Sequence, residues 1–197
     1  MKHLLTLILC AFLGACSLVG YNHDVKEPPF TVSLKDGAFE VREYPAIVMV
    51  KATGTGDFDT AQDESFYKLF DYISGKNAEP KEIPMTAPVL MEAQESGEGW
   101  SMAFVLPADI PLDKAPAPAD PSLTLEDMKD ARFAVITFSG RFTEANLAPK
   151  EQALKDWIKA QNLEESGPAI RAGYNPPWTI PLFRRNEILI PLKKLTP

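Results

Sequence analysis

The sequence predicts an α+β fold: a distorted antiparallel eight-stranded barrel made of two pseudo-symmetric ββαββ halves, with two flanking helices. The first observation is that the order strand, strand, helix, strand, strand occurs twice, on either side of a proline-rich stretch at residues 107–121. The second is that both halves carry the same local motifs, Gly56-Asp57-Phe58 with Asp71-Tyr72-Ile73 and Gly140-Arg141-Phe142 with Asp156-Trp157-Ile158. Short strands of this number are best closed as a curled sheet, with one helix per half packed outside it.

Short apolar-rich segments predict the strands. In the first half they lie at residues 39–41 and 46–53, and in the second half at residues 123–125 and 133–138. The segment Met85-Thr86-Ala87-Pro88-Val89 predicts a further strand, and the prolines that enter and limit it indicate a sheet edge or a bulge. Arg184-Arg185-Asn186-Glu187 opens the last strand. The proline-rich connector at residues 107–121 is expected to be a stiff surface loop.

Two amphipathic segments predict the helices. The first has apolar residues at i, i+3, i+4 and i+7, which places them on one face: Phe66, Leu69, Phe70 and Ile73. Asp59 or Thr60 is its expected N-cap. The second helix is expected to begin around Pro149, because proline is favourable at the first helical position, and to end near Asn162 or Gly167.

The first fifteen residues have the pattern of a secretory signal peptide. Lys2 precedes an apolar run at residues 4–13 that is too short to span a bilayer. The run ends in Leu13-Gly14-Ala15-Cys16, which resembles the lipobox of bacterial lipoproteins and predicts a lipid on Cys16. An ordinary secreted protein with a cysteine near its cleavage site is the alternative. Ser17 resembles the outer-membrane sorting pattern, so we expect a lipid-anchored envelope protein that faces the periplasm.

Three regions follow from this pattern. Residues 1–15 are expected to be the lipoprotein signal peptide, residues 16–29 a polar tether, and residues 30–197 one folded domain. The chain from Cys16 onward has 182 residues, which is enough for a single domain that buries about 70% of its unfolded surface.

Composition narrows the function classes. The formal net charge is −7, and it becomes −8 when Lys2 leaves with the signal peptide, which disfavours nucleic acid and anionic membrane surfaces. His3 leaves with the signal peptide and His23 lies in the tether, so the domain has no histidine for a catalytic triad or a zinc site. Cys10 is also removed and Cys16 is lipidated, which excludes disulfides and thiol catalysis. We therefore expect a non-enzymatic protein without catalytic residues or a metal site.

Several separated motifs, in the expected order over about residues 30–192, resemble the SOUL/heme-binding protein family. They are Phe39-Glu40-Val41-Arg42-Glu43-Tyr44, Ile83-Pro84-Met85-Thr86-Ala87-Pro88-Val89, Ala115-Pro116-Ala117-Pro118 and Ala172-Gly173-Tyr174-Asn175-Pro176-Pro177-Trp178, the last followed by Arg184-Arg185-Asn186-Glu187. The resemblance implies a distorted barrel as well. It also implies that heme or another tetrapyrrole binds in an apolar groove beside the first helix, with basic side chains near the propionates.

Transferred to this chain, the groove lies on the four-residue stripe of the first helix: Phe66, Leu69, Phe70 and Ile73. Met85 is expected to line it, and Tyr174, Trp178 and Arg185 to form a rim. Asp63 and Asp71 stand where the resemblance implies basic residues, which opposes the binding of propionates. Iron in proteins is held by His, Cys, Met or Tyr, so only Met and Tyr remain, and no axial ligand is assigned.

Alternatives stay open for each part of this site. The helical stripe could pack onto the sheet instead of a ligand. The Tyr174 to Trp178 block could be a structural turn held by an Arg185–Glu187 or an Arg184–Glu43 ion pair. For the whole protein, the alternative is a lipid-anchored module that docks a protein partner and no longer binds a tetrapyrrole.

Overall fold

The computed structural model describes residues 25–54, 58–94, 99–128 and 130–194, which form nine strands and two α-helices. The elements are β1 (Thr31–Asp36), β2 (Phe39–Tyr44), β3 (Ile47–Gly54), α1 (Phe58–Ile73), β4 (Val89–Ala93), β5 (Trp100–Val105), β6 (Leu123–Met128), β7 (Ala131–Phe138), α2 (Glu144–Ala160), β8 (Ile170–Gly173) and β9 (Asn186–Pro191). The ββαββ order of each half is confirmed, and β1 precedes the first half. The predicted signal peptide, Cys16 and most of the tether lie outside the described residues.

The strands form one antiparallel sheet in the order β1-β2-β7-β9-β8-β4-β5-β3-β6. The order is symmetric about the central β8–β4 pair, with β9, β7 and β2 on one side and β5, β3 and β6 on the other. The first strand of each half therefore pairs with the second strand of the other half, because β2 pairs with β7 and β6 pairs with β3. The two halves are intertwined.

The α+β class is confirmed, but the closed eight-stranded barrel is not. The sheet has nine strands and ends in β1 on one side and β6 on the other, which are not paired with each other. Both helices pack on the same face, α1 against β3 and β5 and α2 against β7 and β9. Two helices side by side cover this face without closure of the sheet. We call it the helix face, and the opposite side the helix-free face.

Buried side chains from both helices meet the strands in one apolar core on the helix face. From α1 this core includes Leu69 and Ile73, and from α2 it includes Leu147, Leu154 and Ile158. A second, smaller apolar cluster lies on the helix-free face and includes Tyr44, Phe133, Val135, Ile170, Tyr174 and Leu189. Neither helix within the described ranges is long and apolar enough to cross a bilayer.

The predicted helix starts were wrong. α1 begins at Phe58, so Asp59 and Thr60 lie inside the helix, and an N-cap must precede the first helical residue. α2 begins at Glu144 after Thr143, five residues before Pro149, which lies inside the helix. The additional N-terminal turn buries Leu147 completely, and this burial outweighs the backbone bond that proline cannot donate. The predicted end near Asn162 is confirmed, because the helix ends at Ala160, Gln161 is the C-cap, and Asn162 has a left-handed φ of 54°.

The strand predicted at residues 85–89 was also placed wrongly. β4 begins only at Val89, and it lies between β5 and β8 at the centre of the sheet rather than at an edge. Pro84 and Pro88 have no N–H to donate, so the chain enters the ladder after the second proline. The preceding residues contact the N-terminal segment instead, where Thr86 bridges to Lys26.

The proline-rich connector packs along α1. The hydroxyl of Tyr72 donates a hydrogen bond to the Pro116 carbonyl at 2.8 Å, and Ala78 N donates to the Ala117 carbonyl at 2.9 Å. Burial raises the pKa of Tyr72 to about 12. The connector therefore covers one side of α1 and leaves the other side open.

Candidate functional site

Three aromatic side chains project from the open side of α1, and we call them the aromatic ledge: Phe66, Tyr67 and Phe70. Tyr67 is 70% exposed and Phe70 is 47% exposed. The rings of Phe66 and Phe70 lie 6.1 Å apart and only 11° from parallel. Phe66 also contacts Phe104 edge to face, at 5.4 Å between ring centroids, which ties the ledge to the sheet.

The predicted helical stripe is thus divided between two roles. Leu69 and Ile73 are buried in the core, so for these two residues packing onto the sheet is confirmed. Phe70 is exposed, and Phe66 is half-buried against the core. Tyr67 adds the most exposed ring. Its position one residue after Phe66 is off the apolar stripe, so the stripe did not predict it as part of this surface.

An apolar row on the sheet continues from the ledge. Phe104 pairs with Val89 across β5 and β4, and Val89 pairs with Gly173 across β4 and β8. Adjacent strands are separated by about 4.8 Å, so the row extends about 10 Å from Phe104. A Cβ atom at Gly173 would lie 3.8 Å from the ring of Phe142, which places that ring at the end of the row. Met85 packs half-buried against the same core.

The charges around the ledge are more balanced than the sequence suggested. Asp71 forms an ion pair with Lys76 at 2.9 Å, so one of the two opposing carboxylates has a cation beside it. Asp63 is exposed on the same helix. Lys68 is exposed one residue after Tyr67, and its charge also acts on Asp120 of the connector.

A buried arginine lies on the helix face between the two halves. Arg171 of β8 is held by Glu144, with Nη2 donating to Oε1 at 2.9 Å, and its guanidinium lies 4.5 Å from the Trp100 ring centroid. A second carboxylate, that of Glu151, lies 3.6 Å from Nη2. These contacts fix the first turns of α2 to the sheet. The sequence analysis missed Arg171, because nothing in its local pattern distinguishes a buried arginine from an exposed one.

The predicted rim residues Tyr174 and Arg185 lie on the helix-free face, in a cluster around Glu187. Arg42 contacts both carboxylate oxygens of Glu187, at 2.8 and 3.1 Å, and Tyr174 donates its hydroxyl to Glu187 at 2.7 Å. Arg185 stacks on the Tyr174 ring at 3.7 Å and donates Nε to Glu187 at 3.0 Å. Thr137 donates to the same carboxylate at 3.1 Å. The Arg185–Glu187 pair predicted for a structural turn is confirmed.

The electrostatics of this cluster are those of a buried ion pair. Burial alone would raise the pKa of Glu187, but the hydrogen bonds and charges of Arg42 and Arg185 outweigh it and lower that pKa. Burial, together with the charge of Glu187, raises the pKa of Tyr174, so its hydroxyl stays protonated as a donor. The cluster holds β2, β7 and β9 together.

Trp178 lies apart from the aromatic ledge and from the Glu187 cluster, on the loop between β8 and β9. Arg184 holds this loop by donating Nε to the Thr179 carbonyl at 2.8 Å and Nη2 to the Pro177 carbonyl. The alternative Arg184–Glu43 pair is therefore not formed; Glu43 instead lies 3.9 Å from Arg132. The eight predicted site residues thus occupy four places: Phe66 and Phe70 lie on the ledge, Leu69 and Ile73 in the core with Met85 packed against it, Tyr174 and Arg185 in the Glu187 cluster, and Trp178 on the loop.

A trough on the helix-free face is a concave feature that sequence reasoning missed. It consists of a cleft of about 660 Å³ beside Phe30, Tyr44, Arg132 and Lys194, and a neighbouring cleft of about 240 Å³ that includes Ala131 as a shared lining residue. The methionines Met49, Met91 and Met128 line the second cleft. Across the described ranges, no group of three His, Cys, Asp or Glu residues is arranged to hold a metal ion.

Two intertwined ββαββ halves, each with one helix on the same face, define the fold class, and solved structures share it. The C-terminal domain of EcmrR superposes with a TM-score of 0.63 at 10% identity, covering 84% of this chain and 99% of that one. A hydrolase from Listeria innocua superposes with a TM-score of 0.56 at 10% identity, covering 82% and 94%. At such identities the likeness concerns the fold alone.

The chain belongs to the SOUL heme-binding protein family, whose model matches residues 25–191. Human heme-binding protein 2 is 31% identical over 164 residues, which cover 77% of each chain. Mouse heme-binding protein 2 is 29% identical over 171 residues, and bovine heme-binding protein 1 is 27% identical over 135 residues. The mouse alignment covers 81% of this chain and 80% of the relative, and the bovine alignment covers 66% and 70%.

Proposed function

We propose that this protein binds heme or a related tetrapyrrole, without catalysis, against the aromatic ledge of α1, on a lipid-anchored domain of the cell envelope. Membership of the SOUL family and the names of the human, mouse and bovine relatives support heme as the ligand class. Family membership does not indicate whether the ligand contacts the aromatic ledge or the trough on the helix-free face. We assign the ligand to the ledge because of the geometry of its rings.

The exposed rings of Tyr67 and Phe70, beside the half-buried ring of Phe66, are the observation that carries the proposal. Aromatic rings in a folded domain are usually buried in the core or used in binding, so a cluster of exposed rings marks a binding surface. The rings of Phe66 and Phe70 are nearly parallel, and the exposed ring of Phe70 offers aromatic surface on which a flat macrocycle can stack. The apolar row from Phe104 to Gly173 extends that surface across the sheet.

The carboxylates of the ligand have a cation near the ledge. Lys68 is exposed beside Tyr67, and the charge of Asp71 is offset by Lys76. Asp63 still opposes propionates, so we expect moderate affinity. Because no histidine lies within residues 30–197, binding is expected to depend on apolar contact more than on iron ligation.

The test is a titration of the purified protein with hemin and with metal-free protoporphyrin, followed by absorbance and tryptophan emission. Saturable one-to-one binding of both ligands is expected. Phe70→Ala should weaken both affinities about tenfold, which corresponds to about 1.4 kcal/mol of lost stacking and apolar contact. Met128→Ala, which alters the trough on the opposite face, is the matched control and should leave both affinities unchanged.

Other outcomes would change the assignment. If Met128→Ala weakened binding and Phe70→Ala did not, the ligand would belong to the trough. If neither ligand bound saturably, and the purified protein were colourless with a stoichiometric protein partner, the docking alternative would replace tetrapyrrole binding.

Lipid anchoring through Cys16, at an outer membrane and facing the periplasm, forms part of the same proposal. Its support is the Leu-Gly-Ala-Cys sequence and the serine at position 17. A Cys16→Ser variant should move from the membrane fraction to the soluble fraction, and mass spectrometry of the wild-type N-terminus should show acyl chains. An unmodified Cys16 in a membrane-bound wild-type protein would contradict it.

A further inference from the structure

The loop between β8 and β9 carries an unusually exposed apolar surface. Within residues 176–183, which we call the apolar loop, four large side chains are exposed: Trp178 (74%), Ile180 (46%), Leu182 (73%) and Phe183 (52%). The sequence of the loop, Pro-Pro-Trp-Thr-Ile-Pro-Leu-Phe, contains no charged residue. Its single hydroxyl, that of Thr179, is buried rather than presented to solvent. A contiguous exposed surface of this kind marks a contact with a partner or a membrane.

The backbone of the apolar loop is held in place before any contact is made. Thr179 N donates to the Pro176 carbonyl at 3.0 Å, Phe183 N donates to the Ile180 carbonyl at 2.9 Å, and Gly140 N donates to the Pro181 carbonyl at 2.9 Å. Arg184 donates hydrogen bonds to two further carbonyls of the loop, those of Thr179 and Pro177. Three prolines have no N–H to satisfy. Five of the eight carbonyls and two of the five N–H groups of the loop are therefore paired, which lowers the cost of bringing the loop into an apolar phase.

The N-terminal segment reaches the base of the same loop. Glu27 forms an ion pair with Arg185 at 2.9 Å, two residues after the loop ends. The Lys26 carbonyl accepts a hydrogen bond from Ala87 N at 3.0 Å, which fixes the segment against the domain. The nine residues from Cys16 to Asp24 can span at most about 30 Å. A lipid on Cys16 would therefore keep the loop close to a bilayer, and this step rests on the proposed anchoring.

We propose that the apolar loop inserts into the interface of a phospholipid bilayer and is a second membrane contact beside the lipid anchor. Tryptophan is favoured at the boundary between headgroups and acyl chains, and Leu182 and Phe183 supply apolar contact below it. The acyl chains would hold the protein at the bilayer, and the loop would add buried apolar surface to that attachment. Since the chain is acidic, with a formal charge of −7, the surface expected is zwitterionic rather than anionic.

The test uses the full chain reconstituted in phosphatidylcholine vesicles whose acyl chains carry bromine, a contact quencher of tryptophan emission. The chain has three tryptophans, and Trp100 and Trp157 are held within the fold by Arg171 and by Asp36 and Phe39. We expect clear quenching and a blue shift in the wild-type protein. Trp178→Phe, which keeps the loop apolar, should abolish the quenching without releasing the protein from the vesicles.

A second variant tests insertion without changing the reporter. Leu182→Ser combined with Phe183→Ser should reduce the quenching of Trp178 at least severalfold, while the protein stays on the vesicles. Leu112→Ser is the matched control, since Leu112 is an exposed leucine in the connector, and it should leave the quenching unchanged. Far-UV circular dichroism of each variant checks the fold.

Three results would overturn the proposal. One is a vesicle-bound wild-type protein whose Trp178 emission is neither quenched nor shifted, and another is quenching that persists in full in the Trp178→Phe variant. The third is self-association without lipid that the Leu182 and Phe183 substitutions abolish, which would assign the loop to an interface between copies. No tetrapyrrole is present, so the result is independent of the proposed ligand.

Discussion

Replacing Glu187 with glutamine is expected to destabilise the protein more than any other single change of charge in the cluster. Glu187 is fully buried and contacts the guanidinium groups of Arg42 and Arg185, the hydroxyl of Tyr174 and that of Thr137. Glutamine keeps the shape and one acceptor oxygen. It removes the negative charge and directs an N–H₂ group toward donors.

The magnitude follows from the burial of Arg42. The Arg42 side chain is only 4% exposed, and after the substitution Glu40 remains as its carboxylate partner, at 2.7 Å from Nε. Removing one partner of a buried ion pair costs about 3–5 kcal/mol. Because Glu40 retains part of the compensation, we expect a loss of about 3 kcal/mol, a large part of the 5–15 kcal/mol typical of a domain.

The assay is urea unfolding at pH 7, followed by far-UV circular dichroism. Glu187→Gln should lower the urea concentration at the midpoint without a change in the slope m, because the variant and the wild type expose the same amount of surface when they unfold. Asp71→Asn, which breaks the exposed pair with Lys76, is the control and should cost about 1 kcal/mol or less. A Glu187→Gln variant that lost less than about 1 kcal/mol would refute the view that the cluster is a buried ion pair whose charges depend on each other.

The stability lost on replacing Glu187 with glutamine is also expected to depend on pH. The folded-state pKa of Glu187 lies below its ordinary value of 4.5, so the unfolded state binds a proton first as the pH falls. The stabilisation is therefore complete above about pH 4.5 and is lost as the pH falls through the folded pKa. The difference in stability between the wild type and Glu187→Gln should shrink below about pH 4.5. A constant difference down to pH 3 would contradict this assignment.

Three further substitutions test the division of the predicted site. Arg185→Ala should lower the free energy of unfolding by about 1.5–3 kcal/mol through lost bonds to a charged group, with hemin affinity unchanged in the titration. Leu69→Ala should cost about 2–5 kcal/mol in urea unfolding, whereas Phe70→Ala, at an exposed position, should cost about 1 kcal/mol or less; equal costs would contradict the split stripe. Tyr72→Phe should cost about 1 kcal/mol through the lost bond to Pro116 and speed proteolysis of the connector; an unchanged cleavage rate would exclude a clamping role.

The element order was predictable because it depends on short-range patterns. Alternating and helical periodicities are read within a few residues, and both copies of the Asp-aromatic-Ile motif lie in the last turns of their helices, Asp71-Tyr72-Ile73 in α1 and Asp156-Trp157-Ile158 in α2. Helix starts were less predictable. The start of α2 depends on the burial of Leu147 against the sheet, and a cap pattern around Pro149 contains no information about that contact.

The candidate site was predictable only in part. Phe66 and Phe70 follow from the apolar stripe and the family motifs, but the stripe does not tell which of its members face the sheet and which face solvent. Leu69 and Ile73 point into the core because the strands lie on their side of the helix. Tyr67 and the helix-free trough gave no sequence signal, since both depend on which surfaces remain uncovered after packing.

By itself, the sequence determined the α+β class, the duplicated ββαββ order, the amphipathic faces and the family, all of which rest on local periodicity or on motifs contiguous in the chain. The tertiary structure alone decided that β2 and β6 exchange between the halves, that the sheet stays open, and that Arg42 and Glu187, 145 positions apart, form one buried pair. The physical reason is that strand pairing and charge burial depend on contacts between residues distant in the sequence. The alternation of apolar and polar side chains along a strand is the same for any neighbouring strand, so it does not identify the partner.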